Sequence, residues 1–425
     1  MLYYADFHLH SKYSRAVSQA MSLEGLVEGA RQKGLKILGT GDFSHPAWFN
    51  ELKTKLIPSE SDGLFVLKGF EESGVCFVLT NEVSSIISTP KGVKKVHHLL
   101  HCPSLEIVSQ INDLFGKKGN LEADGRPTFG NTFPSEIVEI VESVDKKDSF
   151  IIPCHAWTPW FGVFGSMSGF DSLKEAYEAK SKSIFAIETG ISSDPAMNWR
   201  ISSLDGITLV SNSDAHSNHP WRLGRECNAF DFPSLPSFRQ IRNSIETKKN
   251  FAFTVEVNPS YGKYHFDGHR NCSFSCPPEE SKKLKGLCPV CRRRLTIGVL
   301  NRVEELADRP DGFIPKNAIP FKTVLPLHEL VSAFLGSQLY SKKVDELAGK
   351  LLALGSELGV LLEIEKEKLL EACGEERLVD AIMLNRQGKI EVTPGFDGEY
   401  GIPRLGNKSV KEKESDVKQK KLGEY

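Results

Sequence analysis

The segment LYYADFHLH (2–10) decides the architecture. An apolar run of strand type ends in two histidines spaced two residues apart. Side chains alternate along a strand with period two, so His8 and His10 share one face and reach one point at the strand end. SNSDAH (211–216) repeats the arrangement with Asp214 and His216, behind the apolar run 207–211.

Further runs of the same kind lie at 35–40, 75–81, 94–100, 149–154 and 183–189. Amphipathic stretches at 22–33, 134–144 and 236–248 separate several of them. Alternation of this sort predicts a parallel βα architecture. Nearly every run ends in a residue able to bind a metal: His8 and His10, Asp42, Glu82, His98, His155, Glu188, Asp214. Functional groups in βα barrels gather at the carboxyl ends of the strands. The expected class is therefore α/β, with residues 1–255 forming a βα barrel of about seven strands rather than an open sheet.

Residues 256–312 change character. Four cysteines, Cys272, Cys276, Cys288 and Cys291, stand as Cys-x3-Cys-x11-Cys-x2-Cys. Two tight pairs of this kind predict a closed structural zinc site. From 313 to 405 the pattern is mainly helical, with apolar residues at three- and four-residue spacing over 325–335, 342–360 and 366–385. The last stretch, 406–425, is rich in Lys, Glu and Ser and predicts a disordered tail.

The bulk numbers exclude little. The 425 residues carry 53 Lys and Arg against 55 Asp and Glu, a net charge of −2, so no global positive field advertises a polyanion. The five cysteines outside the four-cysteine site are scattered, which fits a reducing cytoplasm better than a disulfide framework. The N-terminus shows no secretory leader pattern, and no stretch reaches the ~18–20 apolar residues of a membrane span.

Imidazole and carboxylate ligands together suit zinc, manganese or iron, whereas carboxylates alone lean to magnesium. His8, His10, Glu82, His155, Asp214 and His216 at several strand ends can hold two or three ions (Zn2+, Mn2+ or Mg2+) a few Å apart. Such a group activates water and neutralises charge on a phosphoryl group in an in-line displacement. Asp214, His216, His8 and His10 are the candidate catalytic residues.

The pattern resembles the PHP (polymerase and histidinol phosphatase) superfamily of metal-dependent phosphoesterases. The resemblance implies a distorted seven-stranded βα barrel and a metal set matching His8, His10, Glu82, His98, His155, Asp214 and His216. One motif departs. At the second strand the family commonly has ThrAspHis, and this chain has GlyAspPheSerHis at 41–45. Either Asp42 ligates there or His45 swings in, with Asp42 preferred; Glu188 is a further candidate. His97 is expected on the opposite strand face from His98.

The complete layout is similar to the endonuclease Q family of DNA repair nucleases. The stretches that carry the likeness are GTGDFSHP (39–46), HAWTPWFG (155–162), SNSDAH (211–216), YHFDGHR (264–270) and RVEELADRP (302–310). The resemblance implies cleavage of the phosphodiester 5′ to a deaminated base (hypoxanthine, uracil, xanthine) or an abasic site, leaving a 3′-hydroxyl and a 5′-phosphate. A nuclease that reads deamination must take the base out of the stack. Trp157, Trp160 and Phe161, just after His155, are candidate rim residues. Arg270, Arg292 and Arg293 beside the cysteines are candidate phosphate contacts. The alternatives are a small-molecule phosphatase of the histidinol-phosphate type and a zinc-bearing binding protein with an inactive core. The terminal QKKLGEY (419–425) resembles part of a sliding-clamp motif.

Overall fold

The computed structural model describes residues 1–405, so the expected tail and its clamp-like pattern lie outside the described residues. The site is built on eight strands: β1 (Leu2–Asp6), β2 (Ile37–Gly39), β3 (Cys76–Thr89), β4 (Gly92–Cys102), β5 (Thr128–Gly130), β6 (Phe150–Pro153), β7 (Ala186–Glu188) and β8 (Thr208–Val210). Strands β2, β6, β7 and β8 are buried at every position, which is why they read as continuous apolar runs rather than alternating ones.

Strand β1 pairs parallel with β2, and β2 parallel with β3. The parallel expectation then fails. Strands β3 and β4 form one long antiparallel hairpin, and β4 pairs antiparallel with β6. The reason lies in the turn: Thr89-Pro90-Lys91-Gly92 connects them directly, with Gly92 at φ 108°, and two residues cannot make a parallel crossover. Strand β5 adds parallel to the outer half of β3. Strands β7 and β8 pair parallel, and a bridge from Leu9 to Ala215 ties the end of β1 to the segment after β8. The amide of Ala156 donates to Glu188 O (2.9 Å), joining the end of β6 to β7. On the other side of β1, Cys227–Asp231 and Phe251–Glu256 add antiparallel.

Helices flank these strands, among them Leu23–Lys33, Pro134–Asp145 and Phe238–Thr247, each burying one apolar stripe. A separate apolar cluster belongs to the helices Leu327–Leu335, Lys342–Leu352, Glu357–Leu362, Lys366–Cys373 and Glu376–Arg386. Lys33 reaches from the first helix to Glu357 (2.7 Å) and to Pro220 O (2.8 Å). Both side chains are fully buried, so removing either would leave an uncompensated charge. Among the described residues, no helix is long and apolar enough to cross a membrane.

Candidate metal centre

His8 and His10 leave the end of β1 fully buried, with ring centroids 5.5 Å apart. Each ring is held from behind by a carboxylate. Glu188 lies 3.0 and 3.1 Å from His8 Nδ1, and Asp42 Oδ1 lies 3.1 Å from His10 Nδ1. Both rings therefore present Nε2 to a common centre. His8 Nε2 is buried without a hydrogen-bond partner, 3.6 Å from both Glu82 and Asp214. A buried polar atom without a partner is costly unless something else satisfies it.

Glu82 is the hub. One of its oxygens lies 2.5 Å from His97 Nδ1 and 3.2 Å from His155 Nε2; the other lies 3.4 Å from His10 Nε2 and 3.1 Å from Arg126 Nη1. Burial would raise its pKa, but His97 and Arg126 overcome this and hold the carboxylate well below its ordinary range. Asp214 Oδ1 lies 3.1 Å from His10 Nε2 and 3.7 Å from His216 Nδ1. Three overlapping donor sets result, each within 4.8 Å: His8, His10 and Glu82; His10, Asp214 and His216; Glu82, His97 and His155. Sharing of His10 and Glu82 places the sets side by side, which is what a cluster of adjacent cations requires.

Asp42, His155 and Asp214 sit at φ 47°, 26° and 49°, in the left-handed region that non-glycine residues rarely occupy. Strain of this kind concentrates where function fixes the geometry. In each case the strand has just ended, and the positive φ turns the chain sharply at the cluster.

Four sequence expectations change. His98 does not join the cluster; His97 does. In the hairpin register Glu82 faces Leu99 and Ser84 faces His97, so Glu82 and His97 share a face while His98 goes with Val83 on the other. His98 instead bonds Ser85 Oγ (2.8 Å) and Tyr177 OH (2.9 Å), and burial pushes its pKa down to about 3. Asp42 lies behind His10 rather than in a donor set, because its second oxygen already accepts from the Ser11 amide (2.6 Å), Ser11 Oγ (2.7 Å) and Ser14 Oγ (2.8 Å). Glu188 is likewise occupied, by His8, the His155 amide (2.8 Å) and Asn212 (2.9 Å). His45 stacks on Tyr13 at 4.6 Å, and Phe43 is core. Trp157 is also core, 1% exposed, its indole donating to Asn198 (2.8 Å), so it cannot serve as a rim residue.

Trp160 and Phe161 do border the centre. They line a cavity of about 240 Å³ with His155, Asp214, Arg225 and Tyr264. Phe161 packs 4.3 Å from the His97 ring, and Trp160 meets Tyr264 edge-on at 5.7 Å. Arg225 donates to Ser213 O (3.1 Å), while its Nε and Nη1 are buried without partners.

The four-cysteine site also differs. His269, Cys272, Cys288 and Cys291 bring donor atoms within 4.8 Å of one another, with His269 Nδ1 3.5 Å from Cys291 Sγ. Cys276 falls outside this set, at the end of the hairpin Asp267–His269/Phe274–Cys276, in a small core with Leu295. Desolvation raises the pKa of the Cys288 thiol, but the amides of Cys291 and Val290 outweigh it and bring it down to about 7. The signal was present in the sequence: His269-x2-Cys272 mirrors Cys288-x2-Cys291. Arg292 and Arg293 are exposed beside it, and Arg270 is 58% exposed near Glu399. Sequence reading missed His97, His269, Arg126 and Arg225.

No protein-family model matches the chain. It is 34% identical to the lesion-specific endonuclease PfuEndoQ of Pyrococcus furiosus, covering 98% of both chains with a TM-score of 0.83. A structure of endonuclease Q with a 27-mer duplex bearing an abasic lesion at the active site matches at 34% identity over 96% of this chain and 97% of that one, with a TM-score of 0.84. An uncharacterized protein of Methanocaldococcus jannaschii is 35% identical over 58% of this chain, which spans only 31% of that longer protein. An uncharacterized protein of Bacillus subtilis is 26% identical over 94% of this chain and 98% of its own length.

Proposed function

The chain belongs to the endonuclease Q family, and from that premise we propose that it is a metal-dependent DNA repair endonuclease cutting 5′ of deaminated bases and abasic sites. The observation that carries the reading is the trio of donor sets linked through His10 and Glu82, with the buried His8 Nε2 left unpartnered among them. His8, His10, Glu82, His97, His155, Asp214 and His216 would hold two or three divalent ions. When bound, such ions polarise a phosphoryl group, activate water and neutralise the charge that develops.

The chain's own residues do the rest. Glu188 and Asp42 lock the two imidazoles so that no reorganisation is needed when substrate arrives. The cavity beside the centre takes the extruded residue. Trp160, Phe161 and Tyr264 supply aromatic surface for a flipped base, and Arg225, which lines the same cavity, would donate to a carbonyl oxygen. Deamination replaces an amino donor by such a carbonyl. A normal amino base would face Arg225 donor to donor and leave it unpaired, a penalty that discriminates strongly. The seven strands β1–β4 and β6–β8 then correspond to a PHP-type barrel. The segment 256–312 is a zinc module, and 313–405 is a helical lobe.

A small-molecule phosphatase needs neither the zinc module nor the helical lobe, and nothing at the site favours it. The test uses labelled duplexes carrying one hypoxanthine, one uracil, one abasic site or none, with Mg2+ or Mn2+, beside histidinol phosphate. A lesion-dependent nick supports the reading. Phosphomonoester turnover without DNA cleavage contradicts it.

A further inference from the structure

The loop Asp124–Pro127 packs directly on the centre. A Cβ at Gly125 would lie 2.4 Å from Asp42 Oδ2 and from Ser14 Oγ, so the loop comes this close only as glycine. Its backbone is fixed at both ends. The Gly125 amide donates to Tyr13 O (3.3 Å), Asp124 Oδ1 accepts from the amides of Arg15 (3.2 Å) and Arg126 (3.3 Å), and the Ser84 amide donates to Pro127 O (2.9 Å). Arg126 projects from this anchored loop, with Nη1 3.1 Å from Glu82 Oε2 and its side chain 29% exposed. Among the described residues, it is the only lysine or arginine paired with a carboxylate of the donor sets.

A purely structural role would be to neutralise Glu82. That role would lapse with divalent ions in the donor sets that contain Glu82, because the ions would themselves neutralise the carboxylate. The guanidinium would then stand at the edge of the centre, partly exposed, with Nη1 released from Glu82. Such a fork matches two oxygens of a phosphate.

We propose that Arg126 is a catalytic residue of the nuclease reaction inferred above, binding a non-bridging oxygen of the scissile phosphate. The inference rests on that reading. In the reaction, water oxygen bonds to phosphorus, the P–O3′ bond breaks, and the 3′-oxygen takes a proton that the water loses. Arg126 transfers no proton. It stabilises the charge that builds on the non-bridging oxygens, from a site prepared before substrate binds.

The test is single-turnover cleavage of a duplex carrying one tetrahydrofuran abasic analogue, by wild type, Arg126→Lys and Arg126→Ala. Each is also run with either phosphorothioate diastereomer at the scissile position. Arg126→Ala is expected to slow cleavage by about 10²-fold or more, and Arg126→Lys to recover only part of this. Sulfur in one diastereomer should slow wild type yet cost the alanine variant little more. Binding in Ca2+ should lose about one unit of log–log salt slope, as for one phosphate contact. Matched melting curves and metal contents show that both variants fold. A wild type that nicks the lesion with Arg126→Ala at the same rate, or additive thio effects with an unchanged salt slope, overturns the assignment alone. A wild type that nicks no lesion overturns the nuclease reading and this role with it.

Discussion

His10 Nδ1 lies 3.1 Å from Asp42 Oδ1, and the other Asp42 oxygen is filled by three donors from Ser11 and Ser14. Asp42 therefore orients an imidazole. Asp42→Asn sets an amide nitrogen or a weaker acceptor in its place. Metal affinity should fall by about 10–100-fold, and excess Mn2+ should restore cleavage. Calorimetric Mn2+ titration checks this; a loss of activity that no Mn2+ concentration recovers would make Asp42 a ligand.

His97 and His98 are neighbours with opposite duties. His97→Ala removes a donor from the Glu82 set and should abolish most cleavage while the protein stays folded. His98→Ala breaks two buried hydrogen bonds, to Ser85 and Tyr177, and should cost about 1–3 kcal/mol of stability with cleavage per folded molecule retained. Denaturant melts beside nicking rates separate the two. The reverse pattern would restore His98 to the site.

In the cysteine module, His269→Ala should release zinc and Cys276→Ala should keep it. Mass spectrometry of the native protein counts the ion directly. Zinc lost from Cys276→Ala alone would exclude His269 as the fourth ligand.

The metal-free protein should lose stability as pH rises. Burial lowers the pKa of His10, but Asp42, then Asp214 and Glu82, outweigh it and raise the group from 6.5 to about 9. A folded-state pKa above the unfolded value gives stability that is full below pH 6.5 and lost as pH passes about 9. Glu256, pushed up by burial to about 8, acts with the same sign whether or not metal is bound. The difference between melts in EDTA and in Mn2+ therefore isolates the metal centre. That difference should widen from pH 6.5 to 9, because metal and proton compete for the same imidazole. A gap that narrows over this range would contradict the proton-held state of His10.

Which strand ends converge on the candidate centre was legible because apolar runs stop at polar residues, as at His8, Glu82 and Asp214. Which carboxylates fall in the donor sets was not. Asp42 and Glu188 sit at strand ends like Glu82, and only their position at Nδ1 of an imidazole sets them apart from the donor sets. The exchange of His98 for His97 follows from treating 75–81 and 94–100 as separate parallel strands. The turn Thr89-Pro90-Lys91-Gly92 carries the information, since once Thr89 pairs with Gly92, His97 must share the face of Glu82. Arg126 had no local signal at all: it lies in a loop, and its partner is 44 residues away.

The most direct test of the account is cleavage by wild type and Asp214→Ala of a duplex with one deoxyinosine, with product ends mapped and binding measured on the same DNA. The account predicts a single nick one bond 5′ of the lesion, with a 3′-hydroxyl and a 5′-phosphate, absent from undamaged DNA and from Asp214→Ala, which still binds. Equal cleavage by Asp214→Ala, or no lesion-dependent nick with either Mg2+ or Mn2+, would contradict it.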